Sequence, residues 1–270
     1  MPEYSVAILG GGNIGAALAA GLIKSGQYKN EEIILTDKRV SRLDILKRKG
    51  FSVTADNAMA ARNARIVVFA VKPQQFKSLC NEIQGISFRE KIIISSITGI
   101  THKDIEDVFG NIPNVRIMPN IALEICESMT CLSFSNIEPS VEKQIQAVFD
   151  RMGTTMVIQE DLMSAATVIG ACGIAFSLRF MRAMSQGGIE IGFNSEISQV
   201  IAAQTMKGAA GIILTTSNHP ESEIDKVTTP QGVTISGLNE MEHQGMSSAV
   251  IRGIITSFRK IGEMHSDQGK

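Results

Sequence analysis

Two segments of the chain carry the residue types that bind anions. Gly10-Gly11-Gly12-Asn13-Ile14-Gly15 lies early in the chain, and Thr228-Thr229-Pro230-Gln231-Gly232-Val233-Thr234 lies far beyond it. Glycine leaves backbone amides accessible, and the first turn of a helix presents unpaired amides to a negative charge. We expect Pro230 to begin a helix, so that the amides after it, beside the Thr234 hydroxyl, face a carboxylate. Two separate anion sites indicate two ligands.

The first segment is typical of a dinucleotide site. Gly10, Gly12 and Gly15 have Gly-x-Gly-x-x-Gly spacing, directly after the apolar run Ser5–Leu9 and at the beginning of the helical pattern Asn13–Lys24. A strand, a glycine turn and a helix in this order hold a pyrophosphate against backbone amides. We therefore predict that Gly10, Gly12, Asn13, Ile14 and Gly15 bind the cofactor.

Asp37, Lys38 and Arg39 bear on which dinucleotide binds. They follow the apolar run Ile33–Thr36, at the position where dinucleotide folds meet the adenosine ribose. An acidic residue there holds the 2′-hydroxyl of NAD, whereas Lys and Arg can bind the 2′-phosphate of NADP. We expect NADPH to bind more tightly than NADH. The alternative is that Lys38 and Arg39 are solvated and that Asp37 favours NADH.

Two further strand ends belong to the same predicted site. Ala70-Val71-Lys72-Pro73 leaves an apolar run at the sheet edge where ligands bind, so these four residues are expected to touch the cofactor, unless Lys72 is only a capping charge. Ser96-Ile97-Thr98-Gly99 ends the next run, and we place Thr98 and Gly99 near the nicotinamide. Asn57 and Asn120 complete the predicted cofactor-binding set.

The chain is predicted to be an α/β protein with two domains. The strands of its first half are the short apolar runs Ser5–Leu9, Ile33–Thr36, Ile66–Ala70, Ile92–Ser96, Val115–Met118, Met129–Ser133 and Thr154–Val157, and its helices include Asn13–Lys24, Val40–Lys49, Gln74–Ile83 and Ser140–Arg151. This alternation predicts an N-terminal Rossmann-type dinucleotide-binding domain over residues 1–158.

From residue 159 to 270 the pattern changes to long helices. Leu162–Gln186, Ser195–Ser217 and Met246–His265 are each long enough for several turns, with Asn194 or Ser195 as an N-cap and Gly192 as a stop. Small residues along these helices permit close helix packing. An all-helical domain of this size buries too little surface alone, so we expect it to pair with a second copy of the chain.

Composition excludes several classes of function. The 270 residues include 26 basic and 27 acidic ones, a balance that argues against a nucleic-acid surface. The four cysteines form no Cys-x-x-Cys pair and no signal peptide is evident, so we expect a cytoplasmic protein without disulfides. The four scattered histidines are interpreted as surface residues, and no bound metal is expected. The uncharged stretch Leu162–Leu178 is interpreted as a buried helix rather than a membrane span.

Taken together, these motifs resemble the pyrroline-5-carboxylate reductase family, which makes proline in the last step of its biosynthesis. The resemblance covers nearly the whole chain and rests on the glycine turn, Ala70-Val71-Lys72-Pro73, Thr98-Gly99-Ile100-Thr101, Val115-Arg116-Ile117-Met118-Pro119-Asn120, Gly187-Gly188, Ala202-Ala203-Gln204, His219-Pro220 and Val227 to Thr234. It implies NAD(P)H, a Rossmann domain followed by a helical dimerisation domain, and an active site shared by two subunits, sometimes within a decamer.

The same resemblance implies roles for the second anion-binding segment. The Val233 and Thr234 amides would hold the carboxylate of 1-pyrroline-5-carboxylate, and the Thr234 hydroxyl would face its ring nitrogen as the candidate catalytic group. Thr229 would support them, with Gly232 in the same substrate-binding set. Reducing a cyclic imine needs no strong base, because the substrate can bring its own proton near neutral pH. The enzyme then acts mainly by positioning.

This chain departs from the usual family sequence at three places near the reacting rings. Ile121-Ala122 replaces Thr-Pro, and Gly170-Ala171-Cys172-Gly173-Ile174-Ala175-Phe176 replaces Ser-Gly-Ser-Gly-Pro-Ala-Tyr. Gln231 replaces the first loop glycine. These departures leave open an altered substrate range or weak activity.

Two alternative functions are therefore kept. One is a non-catalytic sensor that binds NADP and proline in a degenerate pocket. The other is a relative of the 3-hydroxyacid dehydrogenases that would use Lys207, although the residues around Lys207 do not match that family's lysine motif.

Overall fold

The computed structural model describes residues 3–268, with side chains described as far as residue 263. The strands are β1 (Tyr4–Leu9), β2 (Ile33–Thr36), β3 (Ser52–Thr54), β4 (Ala64–Phe69), β5 (Ile92–Ser95), β6 (Asn114–Met118), β7 (Ser128–Ser135) and β8 (Gly153–Val157). The α-helices are α1 (Asn13–Lys24), α2 (Val40–Arg48), α3 (Asn57–Arg62), α4 (Phe76–Glu82), α5 (His102–Phe109), α6 (Pro139–Asp150), α7 (Met163–Ala166), α8 (Gly173–Glu190), α9 (Ser195–Thr216), α10 (Pro220–Val227), α11 (Val233–His243) and α12 (Met246–Gln268).

All the strands belong to one eight-stranded sheet in the order β3-β2-β1-β4-β5-β6-β7-β8. Every neighbouring pair is parallel except β6 and β7, which are antiparallel. The chain moves outward from β1 to β3 and then crosses back to β4, so the connections after β1 and β4 diverge. In sheets of this kind, the crevice at such a reversal is where ligands bind. The predicted α/β class with a helical second half is confirmed.

The sheet is covered on both faces, as its apolar strands predict. Along β1, Ile8 packs into one buried cluster with Leu18 and Leu35, whereas Ala7 and Leu9 pack into a second cluster on the other side. All five of these side chains are almost completely buried. A parallel sheet buried on both faces needs continuous apolar strands rather than alternating ones, and β1, β2 and β4 supply them.

Most predicted elements form close to their predicted bounds. Helix α1 and strand β2 have the predicted limits, and the strand ends elsewhere shift by one or two residues. Four elements were not predicted: the strand β3 and the short helices α3, α5 and α10. Each is too short for hydrophobic periodicity to show, and β3 forms because its neighbour β2 offers a parallel edge.

The helix predicted over Leu162–Gln186 is not continuous. A π-helical segment, Thr167–Cys172, separates α7 from α8. The predicted helical stretch is therefore present, but its backbone is not α-helical throughout. Hydrophobic periodicity does not reveal such a change of backbone hydrogen bonding, and π segments frequently occur at functional sites.

The chain divides into two compact units. Residues up to Cys172, with the segment from Phe258 onward, form the first unit, and Gly173–Ser257 form the second. The first unit continues past residue 158 because Met163 on α7 is buried in a small cluster with Met118 and Cys131. The predicted domain limits, 1–158 and 159–270, stay a prediction.

Within the second unit, α8 and α9 pack closely. The Ser198 hydroxyl donates a 2.7 Å hydrogen bond to the Ser185 carbonyl oxygen, and a Cβ added to Gly188 would lie 2.1 Å from the same hydroxyl oxygen. A larger residue at position 188 would therefore separate the two helices. Gly188 was not among the small residues predicted to permit close packing, and Gly170, Gly208 and Gly211, which were, have open space around them, so their role stays a prediction.

The second unit buries almost no apolar side chain by itself. Of its hydrophobic residues only Ala202 is buried, while large apolar side chains such as Leu178, Val200 and Leu214 are more than half exposed. The helical stretches Glu160–Glu190 and Ser195–Thr216 are long and apolar enough to cross a membrane by length and composition alone. Helices that pack against a partner subunit have the same composition, so the absence of a membrane span stays a prediction.

Candidate functional site

The glycine turn after β1 has a backbone that only glycine allows at two of its three motif positions. Gly10 has a φ of +118°, and a Cβ there would lie 2.6 Å from the Ala70 carbonyl oxygen. A Cβ at Gly15 would lie 2.0 Å from the Gly10 carbonyl oxygen. A Cβ at Gly12 would meet nothing within 4 Å. The fold itself therefore requires Gly10 and Gly15, whereas Gly12 leaves open space in which a ligand can approach the backbone.

The turn presents unpaired amides at the beginning of α1. The Gly10 and Gly11 amides both donate to the Thr36 carbonyl oxygen, at 3.2 and 2.5 Å, which fixes the turn against β2. Gly12 is the N-cap and offers no capping side chain, so the first amides of α1 have no acceptor within the helix. This arrangement can bind a pyrophosphate.

Arg42 fixes the same turn from the other side. Its guanidinium, on α2, donates to the Gly11 carbonyl oxygen at 2.5 Å and to the Gly12 carbonyl oxygen at 3.1 Å. These bonds fix the Gly11 and Gly12 carbonyl groups, the second of which also accepts the Ala16 amide at 3.0 Å. Arg42 was not predicted, because its contact depends on α2 lying beside the turn.

A cleft of about 350 Å³ opens beside the turn. Of the predicted cofactor residues, its lining contains Gly10, Gly12, Asp37, Lys38, Arg39, Asn57, Ala70, Val71 and Lys72. Thr36, Gln75, Ser78, Leu79 and Glu82 also line it and were not predicted. The cleft lining does not include Asn13, Ile14, Gly15, Pro73, Thr98, Gly99 or Asn120. The strand ends of β1, β2 and β4 thus meet at one site, because Leu9 pairs with both Thr36 and Phe69.

Both cations that follow β2 have carboxylate partners. The Arg39 guanidinium donates two hydrogen bonds of 3.1 Å to the Asp37 carboxylate, and the Lys38 ammonium pairs with Glu82 on α4. Burial raises the pKa of Asp37, but hydrogen bonds from the Arg39 side chain and backbone, together with the Arg42 charge, outweigh it and hold this pKa below its ordinary value. Asp37 is therefore ionised at neutral pH, and its contact with a cofactor ribose stays a prediction.

Asn57 is buried at the floor of the cleft. Its side-chain oxygen accepts a 2.5 Å hydrogen bond from the Thr36 hydroxyl, and its amide nitrogen donates to Glu82 at 2.7 Å. Thr36 in turn accepts from the Gly10 amide at 3.2 Å. One hydrogen-bonded chain therefore runs from the glycine turn to Glu82.

Lys72, Pro73, Thr98 and Gly99 lie in the segments that follow strands β4 and β5. Lys72 precedes the short 3-10 helix Pro73–Gln75, so Pro73 stands at a helix start where its missing N–H is not needed. The Ser96 hydroxyl and amide both donate to the Phe69 carbonyl oxygen and fix the loop that carries Thr98 and Gly99. Gly99 has a φ of +87°. Their contact with a nicotinamide stays a prediction.

Asn120 uses its side chain within the fold. Its side-chain oxygen caps the 3-10 helix Ile121–Ile125 by accepting from the Ala122 amide at 3.0 Å. Its amide nitrogen donates at 3.0 Å to the Gly170 carbonyl oxygen in the π-helical segment. Asn120 thus forms hydrogen bonds to both the Ile121-Ala122 segment and Gly170, which lie at two of the three places where this chain departs from the usual family sequence.

The second predicted anion site begins later than expected. Helix α11 begins at Val233, with Gly232 as the N-cap, whereas Pro230 lies in the preceding turn. The Gly232 amide donates to the Thr229 carbonyl oxygen at 2.9 Å and is not available to a ligand. The prediction that Pro230 begins the helix was wrong, because the turn closes around Thr229. The amides of Val233 and Thr234 remain at the uncapped helix start.

One histidine is not on the surface. His102 is 7% exposed, and its ring nitrogens contact the Asn114 side-chain oxygen at 2.5 Å and the Ser133 hydroxyl at 3.1 Å. The surface interpretation was wrong for His102 because α5, which it begins, was not predicted. Among residues 3–263, whose side chains the structure describes, no cluster of three potential ligands could hold a metal ion.

Comparison with known proteins places this arrangement in a family. A family profile for pyrroline-5-carboxylate reductase dimerisation matches residues 160–264, and one for coenzyme F420-dependent NADP oxidoreductases matches residues 5–99. Pyrroline-5-carboxylate reductase 2 of Dictyostelium discoideum is 41% identical over 275 residues, covering 95% of this chain and 91% of the relative. The chain belongs to the pyrroline-5-carboxylate reductase family.

One further relative and one solved structure are also similar to this chain. Pyrroline-5-carboxylate reductase 1 of Dictyostelium discoideum is 44% identical over 279 residues, which cover 98% of this chain and 51% of that protein. The chain therefore spans about half the length of that relative. The crystal structure of Plasmodium falciparum pyrroline carboxylate reductase with NADP bound has the same fold, with a TM-score of 0.87 at 24% identity over 98% of this chain and 99% of the other.

The departures from the usual reductase sequence lie at unusual backbone geometry. Gly170 to Cys172 lie in the π-helical segment, and Gln231 has a φ of +58° in the turn before α11. A glutamine at positive φ is less favourable than the glycine usual there. Ile121, at the start of the 3-10 helix, is 47% exposed. The fold accommodates all three changes.

Gly15→Ala should mainly destabilise the fold, whereas Gly12→Ala should mainly weaken NADPH binding. Because Gly15 has no room for a Cβ, we expect Gly15→Ala to lower the free energy of unfolding by about 1–3 kcal/mol. Gly12→Ala, with open space around it, should cost less than ~1 kcal/mol but weaken NADPH binding by at least about tenfold. Urea denaturation and calorimetric titration measure the two effects. NADPH affinity that is unchanged in Gly12→Ala would place the pyrophosphate elsewhere.

Proposed function

We propose that the chain reduces 1-pyrroline-5-carboxylate to L-proline with a hydride from NADPH, and that NADH is a second donor. The observation that carries the proposal is that one chain of this family contains two uncapped helix starts that can each bind an anion. One lies at the glycine turn before α1, and the other at the Thr228–Thr234 segment before α11. The match of the first to an NADP oxidoreductase profile supports a dinucleotide there.

The reaction needs few chemical groups from the protein. NADPH, when bound, supplies a hydride to the carbon of the C=N bond, and the ring nitrogen carries the proton that completes the amine. The protein has to hold the carboxylate, exclude water and align the two rings. This requirement fits a site built from backbone amides and hydroxyl groups. An acid–base pair of side chains is not needed.

The start of α11 supplies the groups for the substrate. The Val233 and Thr234 amides have no helical acceptor and can hold the carboxylate, with the helix dipole adding to the attraction. The Thr234 hydroxyl, in the same turn, is then available to the ring nitrogen. Thr229 supports the segment by accepting the Gly232 amide. Gly232 itself contributes its small size, because a Cβ there would lie 2.5 Å from the Thr229 hydroxyl oxygen.

The functional form is proposed to be a homodimer built on the helices α8 and α9. The matching family profile describes a dimerisation domain, and these helices expose apolar side chains that a partner would cover. A symmetric pair covers the same surface on both copies at once. A decamer, a cytoplasmic location, and the absence of nucleic-acid and membrane partners stay predictions.

A sensor and a hydroxyacid dehydrogenase remain the alternatives. Lys207, the lysine that a dehydrogenase would need, is exposed on α9. A reductase should lower NADPH absorbance when the imine is added, with one proline formed per NADPH consumed. A sensor should bind both ligands without turnover, and a dehydrogenase should oxidise a hydroxy acid and lose that activity in Lys207→Ala.

Thr234→Ala should lower kcat/KM for the imine by about tenfold to a thousandfold, because a hydrogen bond to a charged or charging nitrogen and some alignment are lost. NADPH binding and the free energy of unfolding should not change. Thr234→Ser, which keeps the hydroxyl, should lose less. Thr216→Ala, on α9, is a matched control, because the Thr216 hydroxyl bonds only to nearby backbone, donating to the Ile212 carbonyl oxygen and accepting from the Asn218 amide. If kcat/KM for Thr234→Ala stayed within about twofold of the parent value, the loss would be too small for a charge-assisted hydrogen bond, and the proposed role of Thr234 would be wrong.

Val200→Asp should dissociate the dimer. Val200 is 68% exposed on α9, and a buried carboxylate at a subunit interface would have no partner. Val108→Asp is the matched control. It makes the same change at an exposed Val on α5, which is not one of the helices proposed to form the dimer, so it should leave the mass unchanged. Sedimentation equilibrium at micromolar concentration measures the mass. A parent protein that is a folded monomer of 29.1 kDa would contradict the proposed dimer.

A further inference from the structure

The adenosine end of the cleft contains a carboxylate that the sequence motif does not predict. Glu82 is the last residue of α4 and lines the cleft together with Asp37, Lys38 and Arg39. It pairs with Lys38, so it connects α4 to the turn after β2. The inference that follows rests on the proposed use of a dinucleotide at this cleft and concerns which dinucleotide is favoured.

Glu82 is held in place by three donors from different elements. They are the Lys38 ammonium, the Asn57 amide at 2.7 Å and the Ser78 hydroxyl at 3.2 Å. Asn57 is itself oriented by Thr36, which is bonded to the glycine turn. The carboxylate therefore has a fixed position relative to the turn that binds the pyrophosphate.

Glu82 is negatively charged at neutral pH. Burial raises its pKa, but the hydrogen bonds from Lys38, Asn57 and Ser78 and the Lys38 charge outweigh it, so its pKa lies below the ordinary value. With Glu82 on Lys38 and Asp37 on Arg39, each cation proposed for a 2′-phosphate already has an anionic partner.

We propose that Glu82 is a specificity-determining residue that reduces the preference of this chain for NADPH over NADH. It does so by holding Lys38 and by placing a negative charge where a 2′-phosphate would bind. The 2′-phosphate of NADPH is repelled by this carboxylate, whereas the uncharged 2′-hydroxyl of NADH is not. Lys38 is still able to turn toward a phosphate, because its side chain is 61% exposed and an exposed ion pair is weak.

Glu82→Gln removes the charge and keeps an oxygen that can accept from Asn57. We expect it to tighten NADPH binding by about tenfold while NADH affinity changes less than about twofold, since only the phosphate responds to the lost charge. Calorimetric titration of each dinucleotide measures the two dissociation constants. Glu90→Gln, at an exposed position outside the cleft, is the matched control for the change in total charge and should alter neither.

Lys38→Gln in both backgrounds tests whether Glu82 acts through Lys38. In the parent, Lys38→Gln should weaken NADPH binding by only about twofold, whereas in Glu82→Gln it should weaken it by about tenfold, because the freed ammonium then contacts the phosphate. Glu82→Ala serves in the same comparison if Glu82→Gln proves unstable in thermal denaturation.

Three results would overturn the inference. The first is an unchanged NADPH-to-NADH affinity ratio in both Glu82→Gln and Glu82→Ala. The second is weaker NADPH binding in these variants. The third is weaker NADH binding, which would mean that Glu82 holds the ribose hydroxyl. If both dinucleotides bind the parent and the imine is reduced, such a result removes this inference alone. If neither dinucleotide binds the parent, the proposed function fails as well.

Discussion

The close approach of Gly10 to the Ala70 carbonyl oxygen is the contact on which the rest of the site depends. Strands β1 and β4 end side by side, so Gly10, which follows β1, lies directly against the Ala70 carbonyl group, which follows β4. Only a residue without a Cβ fits there, at a φ of +118°. The turn leads directly into α1, whose first amides have no acceptor within the helix, and the packing of Gly15 against the Gly10 carbonyl oxygen keeps the helix close to the sheet.

The two compact units differ in how they are stabilised. The first contains two large buried apolar clusters that cover both faces of the sheet, so it has a core of its own. In the second, Ala202 is the one buried apolar side chain, and long apolar helix faces are exposed in a single chain. Its stability is therefore expected to depend on the concentration of the partner subunit. The segment proposed to bind the substrate lies in this second unit, so activity is also expected to depend on association.

The sequence predicted the elements that local signals define. Glycine spacing and apolar periodicity were enough for β1, α1 and β2, and Asn194 was correctly identified as a candidate cap of α9, where its side chain accepts from the Ile197 amide at 2.8 Å. The two segments proposed to bind anions were also visible as motifs. At the second of these, the start of α11 was misplaced because a turn closed by Thr229 leaves no periodic signal before Val233.

The parts that were missed depend on contacts between distant residues. Arg42 binds carbonyls of the glycine turn, and Glu82 pairs with Lys38 across the cleft, so neither role is encoded by its sequence neighbours. The buried position of His102 likewise depends on β6 and β7 packing around it. The positions of Arg42 on α2 and Glu82 at the end of α4 become informative only once the fold is known.

Hydride transfer from the nicotinamide to the imine carbon is the central claim, and isotope transfer tests it most directly. The protein would be given 1-pyrroline-5-carboxylate with NADPH deuterated at C4 on one face or on the other, and the proline would be analysed by mass spectrometry and NMR. The account predicts that one of the two cofactors places a single deuterium at C5 of proline and that the other places none. Proline without deuterium from either cofactor, or NADPH consumption without proline, would contradict it.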